Sequence, residues 1–277
     1  MPELPEVETI RARLAPLLEG RRLAGVRIDD ARLTRPNDPT DVASRLRGER
    51  IASLDRRGKY LIVRFESGRT LLIHLRMTGT LLHGRDGKNG NLAEDPYRRA
   101  VISLDNGADV AYRDVRRFGT WLLLERGELM PYLEARLGEE PLATAFTPEA
   151  LAERLASRRA PVKAALLDQR TVAGMGNIYA DEALFHAGVD PRRPAGSLIP
   201  AEVERLHQGI RIALTAGIAR QGATLRDYRM PDGESGGMQL EFQVYGRAGE
   251  PCLHCRSEIA KTRIAARGTS YCPTCQR

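Results

Sequence analysis

The chain begins Met-Pro-Glu-Leu-Pro-Glu-Val-Glu, which places an imino acid at position 2 and carboxylates close behind it. If Met1 is removed, Pro2 presents a secondary amine at the terminus. Because α-amino groups titrate at about 7.7–8.0, part of that amine is neutral near physiological pH. A neutral amine can attack an electrophilic carbon and form a Schiff base, and the carboxylates of Glu3 and Glu6 can move protons. These residue types indicate covalent amine catalysis, and the alternative is that the two prolines only begin a helix.

All four cysteines fall in the last 26 residues, as two Cys-x2-Cys pairs separated by 16 residues. This spacing is typical of a four-thiolate zinc site, and clustered cysteines in a reducing compartment favour a metal over disulfides. Because four thiolates complete a tetrahedron and leave no position for water, we predict one structural zinc, with His254 outside the ligand set. The expected ligands are Cys252, Cys255, Cys272 and Cys275.

Positive charge is concentrated around the cysteines. The chain carries a net charge of +7, of which residues 246–277 contribute a net +4. This excess favours a polyanionic partner, against the alternative of a merely solvated basic surface. Arg263 and Arg267 lie between the two cysteine pairs, where a hairpin can present them to phosphates.

The elements that must position these residues change in character along the chain. Apolar residues at helical spacing predict a helix over residues 5–18. Short apolar runs separated by turn residues, up to about residue 125, predict the strands of a β-sandwich. Helical patterns and a Gly-rich loop follow. We therefore predict an α+β fold with a catalytic β-sandwich domain at 1–130 preceded by a helix, a helical domain at 131–239 and a zinc-finger hairpin at 240–277.

Composition excludes several classes of protein. A hydrophobic content of 42% indicates a globular chain. No apolar run approaches the roughly 18 residues of a membrane helix, and the start of the chain lacks the basic and apolar regions of a signal peptide. We expect a cytoplasmic protein that has no membrane partner and acts as a monomer.

Further motifs resemble those of a known family. Between the PELPEVE start and the cysteines, the chain contains RRGKYL, HLRMTG, DVRRFG, GMGNIYADEALF and QVYGR. Their order and joint presence over the whole length resemble the bacterial formamidopyrimidine-DNA glycosylases, which are 8-oxoguanine DNA glycosylase/AP lyases. The resemblance implies base excision repair of double-stranded DNA that contains oxidised purines or abasic sites. It also implies base flipping, a Schiff base at the N-terminal proline and β,δ-elimination, with no catalytic metal.

The resemblance implies catalytic roles for four residues, and a proton-transfer or structural role for Glu6. Pro2 matches the nucleophile on C1′ of the damaged nucleotide, and Glu3 matches the acid/base carboxylate. Glu6 matches a second carboxylate that transfers protons or orders the helix start. Lys59 matches a strand lysine that contacts DNA near the lesion, whereas the residues alone indicate an exposed hairpin lysine. Arg267 matches a hairpin arginine that grips phosphates beside the lesion.

The resemblance also implies residues that replace the extruded base. Met77, Arg116 and Phe118 match a trio that fills the gap in the stack, where apolar wedges can insert and an arginine can bond the orphan base. Strand alternation predicts Arg116 and Phe118 on one face and Arg117 on the other. For Met77 and Phe118 the alternative is ordinary sheet core.

The remaining candidates lie in the C-terminal half. The segment 174–177 matches the family's helix–two-turn–helix, whose glycines and helix N-terminal amides suit a phosphate. Asn177 can cap the following helix and matches a phosphate contact. Lys163 can contact DNA or be a solvated helix lysine. Thr224, in the loop at 221–238, is a candidate contact to the flipped base.

The sequence leaves two other functions open. Endonuclease VIII-type glycosylases share the architecture and prefer oxidised pyrimidines, but Leu4 resembles the purine-type branch because the sister branch usually has glycine there. A non-catalytic zinc-dependent DNA-binding protein would use the same basic hairpin. Such a protein has no need of the Pro-Glu start.

Overall fold

The computed structural model describes residues 2–84 and 94–277. Packing of the chain groups it into two units, Met1–Leu133 with Arg220–Gly237, and Glu134–Ala219 with Met238–Arg277. The three-segment division made from the sequence stays a prediction. In the described part of the chain, no helix combines the length and the apolar character that crossing a membrane requires.

The first unit opens with helix α1 (Leu4–Leu18), whose Val7, Ile10 and Leu14 are fully buried. The elements after α1 are β1 (Leu23–Ile28), α2 (Pro39–Leu46), β2 (Ile51–Arg57), β3 (Tyr60–Phe65), β4 (Thr70–His74), β5 (Gly79–Gly84), β6 (Arg98–Leu104), β7 (Asp109–Asp114), β8 (Thr120–Leu124) and α3 (Leu129–Glu134). The strands form two antiparallel sheets, ordered β1-β6-β7-β5 and β2-β3-β4-β8.

One apolar cluster forms the core of this unit. It takes side chains from α1 and from both sheets, among them Leu54, Ile73, Val110 and the only tryptophan, Trp121. Because strand side chains alternate between faces, each sheet contributes one apolar face to this cluster. The helix-preceded β-sandwich that the sequence predicts is confirmed.

The Gly-rich segment 220–237 packs on the edge strand β5. The His83 N–H donates to the carbonyl of Pro231 at 2.8 Å, and the Thr80 hydroxyl donates to the carbonyl of Arg229 at 2.8 Å. A bridge between Ala223 and Gly237 closes the loop at its base. The segment is therefore a loop, as its composition predicts, and hydrogen bonds to β5 and within the loop hold it in place.

The second unit is helical and ends in a hairpin, which confirms the predicted C-terminal architecture. Its helices are α4 (Pro148–Leu155), α5 (Val162–Leu167), α6 (Asn177–Ala187) and α7 (Pro200–Ala219), and its strands are β9 (Ala260–Ile264) and β10 (Arg267–Tyr271). Short 3-10 turns lie at Ala195–Ser197 and Met238–Leu240.

The β9–β10 hairpin turns on two alanines. Ile264 pairs with Arg267, so Ala265 and Ala266 form the loop, with φ of 47° and 60°. Two-residue hairpin turns with positive φ at both positions match the twist of the strands and favour Asn-Gly. A β-carbon in this left-handed region costs about 1–2 kcal/mol. The hairpin therefore keeps its geometry at the expense of some local stability.

We predict that Ala266→Gly raises the unfolding free energy of the second unit by about 1 kcal/mol, because glycine has no β-carbon to strain. Ala216→Gly in the last turn of α7 is the matched control, and it should lower stability by up to about 1 kcal/mol. Thermal unfolding of the zinc-loaded protein measures both. A loss of stability in both variants would contradict the account of the turn.

Candidate active site

At the start of α1, Glu3 and Glu6 each accept a hydrogen bond from the backbone of the other residue. The backbone N–H of Glu3 donates to Oε2 of Glu6 at 2.7 Å, and the Glu3 carboxylate accepts the backbone N–H of Glu6. Both carboxylates are only 1% exposed, and Pro2 is buried. Such a capping box satisfies two helix donors at once. It therefore fixes the backbone directly behind Pro2, and the helix-ordering role predicted for Glu6 has a structural basis.

Glu6 also binds the loop at 220–237. Its Oε1 accepts the backbone N–H of Ala223 at 2.8 Å. Gly222 has φ of +80°, and a β-carbon there would lie 2.8 Å from Cγ of Glu6. Only glycine fits this backbone and this close approach. One carboxylate thus joins the helix start to the loop.

Thr224, the candidate base contact, lies in the framework of that loop. Its hydroxyl donates to the carbonyl of Tyr228 at 3.1 Å and accepts the N–H of Gly236 at 2.9 Å. The buried Tyr228 in turn donates to the carbonyl of Gln221 at 3.1 Å. Burial, with the nearby Glu6 carboxylate, raises the pKa of Tyr228. The contact of Thr224 with a base stays a prediction.

Lys59 lies in the tight turn between β2 and β3, beside Gly58, whose φ is +56°. Its side chain is 6% exposed, so the alternative of a solvated hairpin lysine is wrong. Arg56 ties the turn to α1, because its Nη1 donates to the carbonyl of Gly58 at 3.0 Å and its Nε to Glu8 at 3.0 Å. Arg56 thus joins the turn that carries Lys59 to the helix that Glu3 caps.

His74 shapes the turn that leads to Met77. Its Nδ1 accepts the backbone N–H of Arg76 at 3.0 Å, and Arg76 has φ of +55°. The ring packs edge-on against Tyr60 with centroids 4.8 Å apart. Burial, and then the charges of Arg76 and Lys59, lower the pKa of His74 to about 3. His74 is therefore a neutral acceptor, a role that the motif HLRMTG did not reveal by itself.

The proposed base-replacing side chains are accessible. Met77 is half-buried, Arg116 is exposed and Phe118 is 52% exposed. The guanidinium of Arg116 lies over the Phe118 ring, 4.7 Å from its centroid, in a cation–π arrangement. Phe118 is thus not sheet core.

The prediction that strand alternation places Arg116 and Arg117 on opposite faces is wrong, because these residues do not lie in a strand. Residues 115–119 form a loop between β7 and β8, and Arg117 has φ of +60°. Its guanidinium binds both oxygens of the buried Asp30, and this pairing lowers the pKa of Asp30. The two arginines have different partners because a turn, and not a pleat, divides them.

Lys163 contradicts both interpretations made from the sequence. Its side chain is 0% exposed, and Nζ lies 2.7 Å from Asp181, 2.9 Å from the carbonyl of Gly268 and 2.8 Å from the hydroxyl of Thr269. These oxygens surround a buried ammonium group, which needs acceptors for its three donors. Lys163 is therefore neither a solvated lysine nor a direct DNA contact. It anchors the start of β10 to α5.

Two consecutive acids of α6 were missed by the sequence analysis. Asp181 accepts the N–H of Ser270 at 3.0 Å. Glu182 accepts three backbone N–H groups, from Gln243, Val244 and Tyr245, at 2.9, 3.0 and 2.8 Å. Burial raises the pKa of Glu182, while these donors favour its ionised form. The sequence did contain a signal for them, because both acids are flanked by apolar residues within the helix. Acids buried in such a helix need hydrogen-bond or ion-pair partners.

Asn177 does not cap α6. The cap position is Gly176, and the side-chain amide of Asn177 donates instead to the carbonyl of Gly268 at 3.1 Å. The same carbonyl accepts Lys163, so two side chains hold the residue that follows Arg267. Arg267 and Arg263 are exposed. Phosphate contacts by Asn177, Arg263 and Arg267 stay predictions.

The four cysteines converge as a metal site requires. Their Sγ atoms lie within 4.8 Å of one another, with Cys252–Cys275 at 3.9 Å and Cys255–Cys272 at 3.4 Å. A tetrahedral zinc with bonds of about 2.3 Å separates its thiolates by about 3.8 Å. The set therefore fits one zinc. His254 lies outside it, with its ring 5.8 Å from that of Phe185, and the predicted structural zinc is confirmed.

Three family models match the chain in succession. They are the formamidopyrimidine-DNA glycosylase N-terminal domain over residues 1–121, the formamidopyrimidine-DNA glycosylase H2TH domain over residues 137–229, and the zinc finger found in FPG and IleRS over residues 249–277. A formamidopyrimidine-DNA glycosylase of Symbiobacterium thermophilum is 49% identical over 278 residues, covering 100% of this chain and 89% of that protein.

Solved structures are similar over almost the whole chain. The MutM (Fpg) protein of Thermus thermophilus is 43% identical, with a TM-score of 0.87 and coverage of 99% of this chain and 98% of that one. Lactococcus lactis Fpg, 34% identical, is similar in a complex with Fapy-dG DNA (TM-score 0.90, 99% and 100% covered). It is also similar in a complex with abasic-site DNA (TM-score 0.91, 99% and 99% covered).

We predict that Lys163→Met destabilises the second unit by about 3 kcal/mol, because it leaves the buried carboxyl of Asp181, whose pKa burial already raises to about 7, without its ammonium partner. Lys163→Met combined with Asp181→Asn should recover part of the loss, since no buried charge then remains and the amide oxygen still accepts the Ser270 N–H. Lys261→Met, on the exposed side of the same hairpin, should stay within about 0.5 kcal/mol. Calorimetric unfolding compares the four proteins, and equal effects of the two lysine substitutions would contradict the buried-pair assignment.

We predict that the stability contribution of His74 is present above pH 6.5 and is lost as the pH falls toward 3. The unfolded histidine titrates at about 6.5 and the folded one at about 3, so the unfolded state binds the extra proton in this window. The difference in unfolding free energy between wild type and His74→Asn should narrow by up to about 1.4 kcal/mol per pH unit below pH 6. Denaturant unfolding followed by Trp121 fluorescence measures it, and parallel pH profiles would refute the lowered pKa.

Proposed function

Because the chain belongs to the formamidopyrimidine-DNA glycosylase family, we propose that it excises oxidised purines from double-stranded DNA and cleaves the strand at abasic sites. Its substrates are 8-oxoguanine and formamidopyrimidine lesions, handled in base excision repair. The observation that supports this chemistry is the PELPEVE start, folded into a capping box that buries Glu3 and Glu6 directly behind Pro2. The full-length relatives carry the purine-type name, which favours this function over the endonuclease VIII-type and non-catalytic alternatives.

In the proposed mechanism, removal of Met1 exposes the secondary amine of Pro2. The amine attacks C1′ of the damaged nucleotide, the base leaves, and the nitrogen forms an imino link to the opened sugar. The Glu3 carboxylate assists ring opening and moves the protons of the elimination steps. β-Elimination and then δ-elimination break the two C–O bonds to phosphate and release the sugar remnant. A one-nucleotide gap with phosphate ends remains.

Other residues hold the DNA. Lys59 contacts it near the lesion, from a turn tied to α1 through Arg56 and Glu8. Met77, Arg116 and Phe118 fill the place of the extruded base, a role supported by the accessible Phe118 ring with a guanidinium stacked on it. The candidate Thr224 contact to the extruded base belongs to the same step.

The zinc hairpin grips the backbone of the DNA. Arg263 and Arg267 are exposed on it, and Asn177 bonds the carbonyl beside Arg267. Phosphate contacts position a protein without reading sequence. Bound zinc supplies a structural cross-link through Cys252, Cys255, Cys272 and Cys275 and takes no part in the chemistry.

We further propose that the chain is divided into three functional parts. A catalytic domain at 1–130, a helix–two-turn–helix domain at 131–239 and a zinc-finger hairpin at 240–277 parallel the order of the three matched family models. The enzyme acts as a monomer on chromosomal DNA in the bacterial cytoplasm, where its substrate lies.

We predict that borohydride links the processed protein covalently to duplex DNA carrying 8-oxoguanine opposite cytosine, because borohydride reduces an imine to a stable amine. Peptide mapping should place the adduct on Pro2, and intact mass should show the loss of Met1. Pro2→Gly should reduce trapping and strand cleavage at least tenfold. Pro5→Ala, in the first turn of α1, is the matched control and should trap normally. An adduct on Lys59 would overturn the assignment of the nucleophile.

A further inference from the structure

Asp114 connects the two loops that carry the proposed base-replacing side chains. It is the last residue of β7 and is 1% exposed. Its Oδ1 accepts the hydroxyl of Thr78 and, at 3.2 Å, the backbone N–H of Arg116, while its Oδ2 accepts the N–H of Gly119 at 2.8 Å. The Asp114 carboxylate is thus hydrogen-bonded to Thr78, which follows Met77, and to the two ends of the segment 116–119, which carries Arg116 and Phe118.

A second bond closes this connection. The hydroxyl oxygen of Thr78 accepts the backbone N–H of Arg116 at 2.9 Å while its own proton is donated to Asp114. In the described part of the chain, the Asp114 carboxylate has no ion-pair partner among lysines or arginines, so hydroxyl and backbone donors hold it. Hydrogen bonds from such donors to a carboxylate are charge-assisted and directional. These hydrogen bonds fix the backbone of both loops, and the backbone in turn fixes the positions of the side chains that the loops carry.

Tyr112, two residues before Asp114 on β7, packs with its hydroxyl against Gly79 and Gly119 of the two loops. It is 0% exposed. A β-carbon on Gly79 would lie 2.4 Å from its hydroxyl oxygen, and a β-carbon on Gly119 would lie 1.6 Å from it. Both positions therefore require glycine because of close approach. The motifs HLRMTG and DVRRFG end in glycine for the same physical reason, since both pack on one tyrosine hydroxyl.

We propose that Asp114 is the positioning residue for Met77, Arg116 and Phe118, and that through them it controls extrusion of the damaged base. This inference rests on the proposed function. Side chains that replace a base stabilise the extruded state only if they are held where the gap opens, and misplacement by about 1 Å can cost a hundredfold in rate. An abasic site has no base to extrude. Asp114 therefore matters for excision of a lesion and little for cleavage at an abasic site.

The test compares Asp114→Asn with wild type on two duplexes, one with 8-oxoguanine opposite cytosine and one with an abasic site. The amide keeps the shape of the carboxylate but turns one acceptor into a donor, which faces another donor at Thr78 or Gly119. We expect single-turnover excision to fall at least tenfold while abasic-site cleavage stays within twofold. A 2-aminopurine beside the lesion should report slower extrusion. Asp109→Asn, at the other end of β7, is the matched control and should leave both rates unchanged.

Thr78 provides an independent variant. Thr78→Val removes the hydroxyl and should slow lesion excision selectively, whereas Thr78→Ser keeps it and should restore the wild-type rate. Trp121 fluorescence confirms folding of the first unit in every variant, and if Asp114→Asn fails to fold, the Thr78 pair decides. An equal loss on both duplexes, or no loss on either, overturns the inference. If wild type cleaves neither duplex, the proposed function itself fails.

Discussion

A carboxylate removed from water must be matched by hydrogen-bond donors, and this constraint organises both units of the protein. Glu6, Asp114, Asp181 and Glu182 are each at most 1% exposed. Every one of them accepts backbone N–H groups from a segment other than its own helix or strand. An unpaired buried charge would cost several kcal/mol, so these acids hold the segments that they bind in one arrangement.

In the first unit, this constraint supports the chemistry. Glu6 bonds the N–H of Glu3 and that of Ala223, so the backbone behind Pro2 and the loop at 220–237 share one anchor. A nucleophile that must meet one carbon atom gains from such a fixed approach, because orientation alone can supply much of a rate enhancement. Neutral His74 works in the same way on the turn before Met77, since an acceptor with a pKa of about 3 keeps its lone pair at any working pH.

In the second unit, the same constraint supports binding. Lys163 and Asp181 form a buried pair whose further bonds reach Gly268, Thr269 and Ser270. The hairpin that presents Arg267 is therefore held by α5 and α6 as well as by its zinc. Buried and exposed cations therefore have different roles in this unit. One buried ammonium group sets the position of the strand, and the exposed guanidinium groups beside it are available for phosphates.

The sequence by itself determined the features that depend on local spacing. Two Cys-x2-Cys pairs predict four converging thiolates, alternating and helical periodicity predict the sandwich followed by helices, and the order of the short motifs indicates the family. Tertiary structure alone decided which charged side chains are buried and which groups they bind. Lys163 is bonded to Gly268, 105 residues away, and Glu6 to Ala223, 217 residues away. Neither contact leaves a periodic trace, because no local pattern records which distant backbone donor a buried charge will meet. For the same reason the sequence predicted Asn177 as a cap and a pleat between Arg116 and Arg117, whereas the cap is Gly176 and the separation comes from a turn at positive φ.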